Sequence, residues 1–119
     1  MDESKPHVEL YIAVSPSDGV VIGVISGEVD LHNSPLLRTR VMESLKRYKP
    51  KKLILNMSKV PYVDSSAIAV LVETLKELRR ASGRVMLIEL QPRVKGLLEI
   101  ARLDSIFVIA KDETEALGL

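Results

Sequence analysis

The 119 residues carry 17 lysines and arginines against 16 aspartates and glutamates, so the net charge of +1 gives no broad field that would attract nucleic acid. Cysteine is absent, which excludes disulfides and thiolate chemistry, and residues 1–119 are long enough to form a single domain whose core needs no metal. No apolar run approaches the ~20 residues that span a bilayer, and Met1–Lys5 lacks a signal-peptide pattern, so the expected location is the cytoplasm.

The chain opens with two strand-like segments, residues 8–14 and 20–26. Between them, Pro16 has a preset φ, and the Asp18-Gly19 pair suits the φ > 0 position of a tight reversal. This pattern predicts an opening β-hairpin.

A helix is predicted next, with Ser34 as its N-cap and Pro35 at its first helical position. Pro50 ends it. Its buried stripe should consist of Leu37, Val41, Leu45 and Tyr48. A basic cluster falls at its end and is interpreted as offsetting the negative end of the helix dipole rather than as a binding patch; it consists of Lys46, Arg47, Lys49, Lys51 and Lys52.

Residues 52–56 are almost wholly apolar, which indicates a central strand covered on both faces. A helix over residues 65–80 follows, with Asp64 as its N-cap. The apolar positions of this helix recur at helical spacing, at Ile68, Leu71, Val72, Leu75 and Leu78.

In the last third of the chain, predicted strands and helices again alternate. Gly83 is expected to break the preceding helix, and residues 85–90 to form a strand. A helix then runs from Pro92 to about Ala101, with Val94, Leu97, Leu98 and Ile100 available for packing. A strand over 105–109 and a helix over 112–117 complete the chain. A hairpin followed by alternating helices and strands predicts an α/β fold whose sheet is mixed and mainly parallel after its first strand.

The most informative segment is Asp64-Ser65-Ser66, where a strand ends and a helix begins. Both hydroxyls fall in the first helical turn, where backbone N–H groups are free and the dipole favours an anion. A phosphate added there would be tolerated. The same three residues are also ordinary capping chemistry, and the local sequence leaves both interpretations open.

The wider pattern resembles a known family. Gly27-Glu28-Val29-Asp30 closes an early strand, and residues 53–66 resemble the second signature of anti-sigma factor antagonists, which are small bacterial STAS-domain proteins. The resemblance covers nearly the whole chain. It implies a STAS fold, with a mixed sheet of four or five strands opened by a hairpin and packed with about four helices.

The resemblance also implies a function. Such a protein binds an anti-sigma factor that is also a serine kinase, frees a sigma factor to regulate transcription, and lets go once it is phosphorylated. A phosphatase would reverse the modification, and a homodimer is left open. ATP and magnesium belong to the kinase, so this chain is expected to need no cofactor and to be no enzyme.

In this family the phosphorylated hydroxyl directly follows the aspartate, which implies Ser65 as the acceptor and leaves Ser66 as the alternative. Partner contact is expected at Asp30, Asp64, Ser65, Ser66 and Ala67. For Asp30, proximity to the acceptor loop is implied by the resemblance. The alternative is that it only solvates a strand end and starts a turn.

Two residues depart from the family pattern. Ala67 replaces a glycine after the two hydroxyls, and since alanine favours helix, the first turn should be stiffer and kinase access slower. Asn56 replaces an aspartate, which removes one negative charge while keeping a hydrogen-bonding side chain.

Other classes of function have less support. Gly23 and Gly27 do not form a phosphate-cradling loop, and no acidic pair follows the first strand as magnesium binding in a receiver domain requires. His7 and His32 lack further ligands at metal-binding spacing, so no metal site is predicted. The remaining alternative is a STAS scaffold module that assembles with copies of itself or with sensor proteins in a larger stress-signalling complex.

Overall fold

A computed structural model describes residues 8–14 and 18–119. Within these ranges a five-stranded sheet packs with four helices. The strands are β1 (Glu9–Val14), β2 (Val20–Ser26), β3 (Lys52–Lys59), β4 (Arg84–Ile88) and β5 (Val108–Ala110). The helices are α1 (Ser34–Tyr48), α2 (Ser65–Arg80), α3 (Pro92–Ile100) and α4 (Glu113–Leu117).

The strands lie in the order β1-β2-β3-β4-β5. β1 and β2 are antiparallel, with Glu9 opposite Ser26, and each later neighbour is parallel. The predicted hairpin and mixed sheet are therefore confirmed. Gly19 closes the hairpin connection with φ +72°, a conformation that glycine adopts without strain. Pro16, the other predicted turn residue, lies outside the described residues.

The two faces of the sheet are covered by different helices. On one face α1, α2 and α3 bury the main core, which includes Leu53 and Leu55 of β3. On the other face Ile54 packs with Met86 and with Ala116 of α4. Because successive side chains of β3 enter opposite cores, its sequence is apolar without alternation, as predicted for a central strand.

Three strand boundaries differ from the sequence prediction by two or three residues. β3 continues past residue 56 to Lys59, because β2 keeps pairing with it after a register shift. β4 stops at Ile88 because Glu89 has a left-handed backbone with φ +54°. β5 starts at Val108 rather than residue 105, since the N–H groups of Ile106 and Phe107 turn back to the carbonyl of Leu103.

The start of α1 is also corrected. Asn33, not Ser34, is the N-cap, because its carbonyl accepts hydrogen bonds from Leu36 and Leu37, at 3.1 Å each. Ser34 is therefore the first helical residue.

After α2 the left-handed residue is Ser82, with φ +59°, and not Gly83. Gly83 is needed for space, since a Cβ there would lie 2.9 Å from the carbonyl oxygen of Pro50. Ile100, which the helical spacing makes available for packing, is 82% exposed.

Lys52, a member of the predicted basic cluster, lies at the end of a different helix. Lys52 Nζ donates to the carbonyls of Ala116, Leu117 and Leu119 at 3.2, 3.3 and 2.9 Å, so it offsets the negative end of α4 rather than of α1. Among the described residues, no helix has both the length and the apolar character needed to cross a bilayer.

Candidate functional site

The loops that follow β2 and β3 lie side by side at the carboxyl edge of the parallel strands. Val29 and Val63 form an isolated parallel bridge between them. The N–H of Val29 donates to the carbonyl of Tyr62 at 3.0 Å, and the N–H of Asp64 donates to the carbonyl of Val29 at 3.1 Å. The two sequence motifs therefore meet in space, and Asp30 lies one residue from this contact.

Asp64 is the N-cap of α2, as predicted, and its two carboxylate oxygens have different partners. Oδ1 accepts from the N–H groups of Ser66 and Ala67, at 2.9 and 3.2 Å, and from the Ser66 hydroxyl at 2.6 Å. Oδ2 accepts from the N–H of Leu31 at 2.8 Å, across the gap between the loops. Sequence analysis missed this second contact, because nothing local to either segment signals it.

These hydrogen bonds hold the pKa of Asp64 below its ordinary value. The hydroxyl of Ser66 contributes most, and the N–H groups of Ala67, Leu31 and Ser66 act in the same direction. Partial burial opposes them and is outweighed. The carboxylate therefore stays ionised at neutral pH and keeps a negative charge at the start of α2.

The two serines differ in their surroundings. Ser65 is exposed, and its hydroxyl makes no hydrogen bond to any residue that the structure describes. Ser66 is half-buried, and its hydroxyl donates to Asp64. Modification of Ser65 would break no contact with a described residue, whereas modification of Ser66 would remove the shortest hydrogen bond that Asp64 accepts.

Ala67 lies under the loop with only 2% of its surface exposed, and its methyl group belongs to the main core. Sequence analysis treated this residue as a partner contact and as a source of helix stiffness. The structure adds that the methyl group contributes packing, which a glycine would lack. A direct contact with a partner would have to come from its exposed neighbours.

The β2–α1 loop forms a turn on its own hydrogen bonds. Asp30 Oδ1 accepts from the N–H of His32 at 2.9 Å, with the imidazole Nδ1 at 3.6 Å. Asn33 Oδ1 accepts from the N–H of Asp30 at 2.9 Å, and its Nδ2 donates to the carbonyl of Glu28 at 2.8 Å. Asp30 starts a turn and also lies beside the loop that carries Asp64 and Ser65.

Asn56 lies within β3, away from its end. Its Nδ2 donates to Glu89 Oε2 at 3.0 Å, and its Oδ1 accepts from the N–H of Ser58 at 2.9 Å. An aspartate here would place a second carboxylate against Glu89. The asparagine therefore avoids a like-charge contact, which gives a structural reason for this departure from the family pattern.

Apolar and basic groups flank the two loops. Leu31, whose N–H bonds Asp64, exposes 72% of its surface, and Leu36 in the first turn of α1 exposes 46%. On the other side, the guanidinium of Arg93 lies 4.8 Å from the ring centroid of Tyr62. Within residues 8–14 and 18–119, no three His, Cys, Asp or Glu side chains form a group that could hold a metal ion.

Comparison with known proteins matches residues 11–116 to the STAS domain family. The chain is 32% identical to the anti-sigma-B factor antagonist of Listeria monocytogenes over 115 residues, covering 94% of this chain and 96% of that protein. It is 28% identical to the anti-sigma F factor antagonist of Paenibacillus polymyxa over 110 residues, covering 92% and 94%.

The fold is similar to that of the anti-sigma factor antagonist SpoIIAA. Its unphosphorylated form gives a TM-score of 0.76 at 21% identity, covering 92% of this chain and 93% of that one. Its phosphorylated form from Bacillus gives 0.69 at 20% identity, covering 92% and 97%. At this identity the likeness establishes the fold, which agrees with the arrangement that the sequence resemblance implied.

Proposed function

This chain belongs to the STAS domain family, and we propose that it is an anti-sigma factor antagonist switched by phosphorylation of Ser65. Unphosphorylated, it would bind an anti-sigma factor that is also a serine kinase and so free a sigma factor for transcription, in the cytoplasm. The observation that carries the proposal is the exposed Ser65 hydroxyl, which makes no hydrogen bond to a described residue and lies directly after the Asp64 cap.

The fold should accept the phosphate. A phosphoserine adds about −1.5 to −2 charges. The amino end of α2 favours an anion by roughly 0.3–1 kcal/mol. Repulsion from the Asp64 carboxylate, at about 5 Å in solvent, is on the order of 1 kcal/mol per charge. The repulsion from the added charge exceeds the attraction of the dipole by about 1 kcal/mol, which is small against the roughly 5–15 kcal/mol of a typical domain, so the modified domain should remain folded.

At an interface the balance changes. The exposed Leu31 follows Asp30 and bonds Asp64, the residue before Ser65, so a partner that covers this apolar side chain would also cover Ser65. Burying an unpaired charge there costs roughly 2–5 kcal/mol. This corresponds to a loss of affinity of about 30-fold to several thousandfold. Phosphorylation would therefore act on association and leave folding unchanged.

The roles of the other components follow from this proposal. The kinase would supply ATP and magnesium, so the antagonist would need no cofactor and carry out no catalysis itself. A phosphatase would return Ser65 to its binding-competent form. Ser66 would act through Asp64, whose carboxylate it orients by its 2.6 Å hydrogen bond.

The acceptor is tested by phosphopeptide mapping after incubation with ATP and the cognate kinase, identified first by pulldown from the native cell extract. We expect one major site, Ser65, and loss of label in Ser65→Ala. Ser66→Ala is the matched control and should still be labelled. Label on Ser66, or on a residue outside 58–70, would contradict the assignment.

A further inference from the structure

The loop between β2 and α1 presents an exposed leucine. Leu31 exposes 72% of its surface, and its side chain is not among the apolar side chains that form the two cores of the described residues. Its burial therefore contributes little to folding. A lone exposed leucine is common on protein surfaces, and what distinguishes this one is how firmly its backbone is held.

The backbone on both sides of Leu31 is fixed by hydrogen bonds. The N–H of Asp30 donates to Asn33 Oδ1 and the N–H of His32 donates to Asp30 Oδ1, both at 2.9 Å. The carbonyl of Asp30 accepts from the N–H groups of Asn33 and Ser34, at 3.2 and 2.8 Å. A leucine on such a turn is ordered before it is bound, which reduces the conformational entropy lost on association.

The N–H of Leu31 itself makes the link to the acceptor loop. It donates to Asp64 Oδ2 at 2.8 Å, and Asp64 directly precedes Ser65. The other carboxylate oxygen, Oδ1, is used by the donors of Ser66 and Ala67 in α2. One carboxylate therefore sets the position of Leu31 relative to the acceptor hydroxyl.

We propose that Leu31 is the apolar anchor of the partner interface, entering an apolar pocket of the anti-sigma factor, and that Asp64 is its positioning residue. This inference rests on the proposed function and adds the contact by which the partner is recognised. An aliphatic anchor in a pocket, with polar contacts around it, is a common centre of a binding interface. Because Leu31 and Ser65 are linked through Asp64, a partner that holds the leucine also covers the hydroxyl, and a charge added there is buried.

The anchor is tested by calorimetric titration of Leu31→Ala against the anti-sigma factor that pulldown identifies. Loss of a buried leucine side chain should weaken binding by about tenfold to about a hundredfold. Leu31→Met keeps an apolar side chain of similar volume and should recover most of the affinity. The matched control is Ile100→Ala, which truncates an 82% exposed side chain at the end of α3, far from the carboxyl edge of the sheet, and should bind like wild type.

The positioning role is tested with Asp64→Asn. The asparagine has one acceptor oxygen, which the three donors of α2 should retain, so the N–H of Leu31 loses its acceptor and should exchange with solvent faster. Ser66→Ala leaves Oδ2 unchanged and should keep this N–H protected. Asp64→Asn should weaken binding in the wild-type background and much less in the Leu31→Ala background, a coupling that loss of helix capping alone would not produce.

The results distinguish the anchor from the phosphorylation switch. A Leu31→Ala variant that is folded by circular dichroism and binds as tightly as wild type overturns the anchor, even where Ser65→Glu still weakens binding. An equal effect of Asp64→Asn in both backgrounds overturns the positioning role. Weak binding of Leu31→Ala together with normal binding of Ser65→Glu supports the anchor and contradicts the switch. A wild type that binds no anti-sigma factor overturns both.

Discussion

The loops that precede α1 and α2 lie side by side, but the side chains of their two N-cap residues choose different partners. One forms hydrogen bonds with residues that precede it in the chain, and the other mainly with residues that follow it. Asn33 bonds backward, to the N–H of Asp30 and the carbonyl of Glu28, and its side chain makes no capping hydrogen bond to α1. Asp64 bonds forward, to the first turn of α2, and sideways to Leu31. The Asn33 side chain thus holds its own loop, whereas the Asp64 carboxylate caps a helix and also links the two loops.

This difference explains where a charge can be added. Asn33 is 8% exposed, so a group attached to its side chain would have to disrupt a buried pair of hydrogen bonds. Next to Asp64, by contrast, Ser65 points its hydroxyl into solvent, because the capping contacts use Ser66, Ala67 and Leu31. A helix start can therefore be well capped and still leave a serine hydroxyl exposed.

The largest effect on stability is expected for Asn33→Ala. It leaves the carbonyl of Glu28 and the N–H of Asp30 without partners, at a cost of about 2–3 kcal/mol in unfolding free energy. Denaturant unfolding measures this loss. Asn33→Asp, which keeps an acceptor for the N–H of Asp30 but loses the donor to Glu28, should fall between alanine and wild type. A loss below about 0.5 kcal/mol in Asn33→Ala would show that the loop does not depend on this side chain.

A smaller loss is expected for Ala67→Gly, which lowers helix propensity by about 1 kcal/mol and removes a buried methyl worth about 0.8 kcal/mol. Ala69→Gly is the matched control, because Ala69 is exposed on the same helix and should lose only the propensity part. Equal losses in the two variants would show that burial of Ala67 adds nothing. If stiffness of the first turn limits the kinase, Ala67→Gly should also be phosphorylated faster.

The smallest effect concerns pH. The pKa of Asp64 is lowered in the folded state, so its stabilising contribution is present above the unfolded value of about 3.9 and is lost as the pH falls through the lower folded value. Ser66→Ala removes the largest cause of that lowering. We expect less loss of stability below about pH 4 in this variant than in wild type.

Unfolding at a series of pH values measures the slope, and carbon NMR of the Asp64 carboxyl gives its titration directly. Ser65→Ala is the control, since its hydroxyl makes no hydrogen bond to Asp64. The Asp64 titration should move to higher pH in Ser66→Ala and stay in place in Ser65→Ala. A shift of equal size in both variants would contradict the different environments of the two serines.

The sequence predicted correctly those elements whose residue pattern is local and periodic. The apolar spacing after Asp64 predicted α2 over residues 65–80 with its N-cap, and the apolar run of β3 predicted a strand covered on both faces. Boundaries set by pairing between strands were missed, as the extension of β3 to Lys59 illustrates. Such a boundary depends on a neighbour that is distant in the chain.

At the candidate site, too, the local features were predicted from the sequence and the long-range contacts were not. Asp64, Ser65 and Ser66 stand out locally, because capping and exposure are properties of one helix turn. The Leu31 contact of Asp64 joins segments that meet only in the folded sheet, and the burial of Ala67 depends on what packs beneath α2. Neither leaves a pattern in its own segment, so both required the structure.

The proposed switch is tested most directly by calorimetric titration of wild type, Ser65→Ala and Ser65→Glu against the anti-sigma factor. Ser65→Ala should bind like the unphosphorylated wild type and remain bound in the presence of ATP. Ser65→Glu should melt close to wild type, because the dipole of α2 favours an anion, but should bind more weakly by at least about tenfold. One carboxylate carries less charge than a phosphate, so phosphorylated wild type should bind weakest. A folded Ser65→Glu that binds as tightly as wild type would contradict a switch based on charge at the interface.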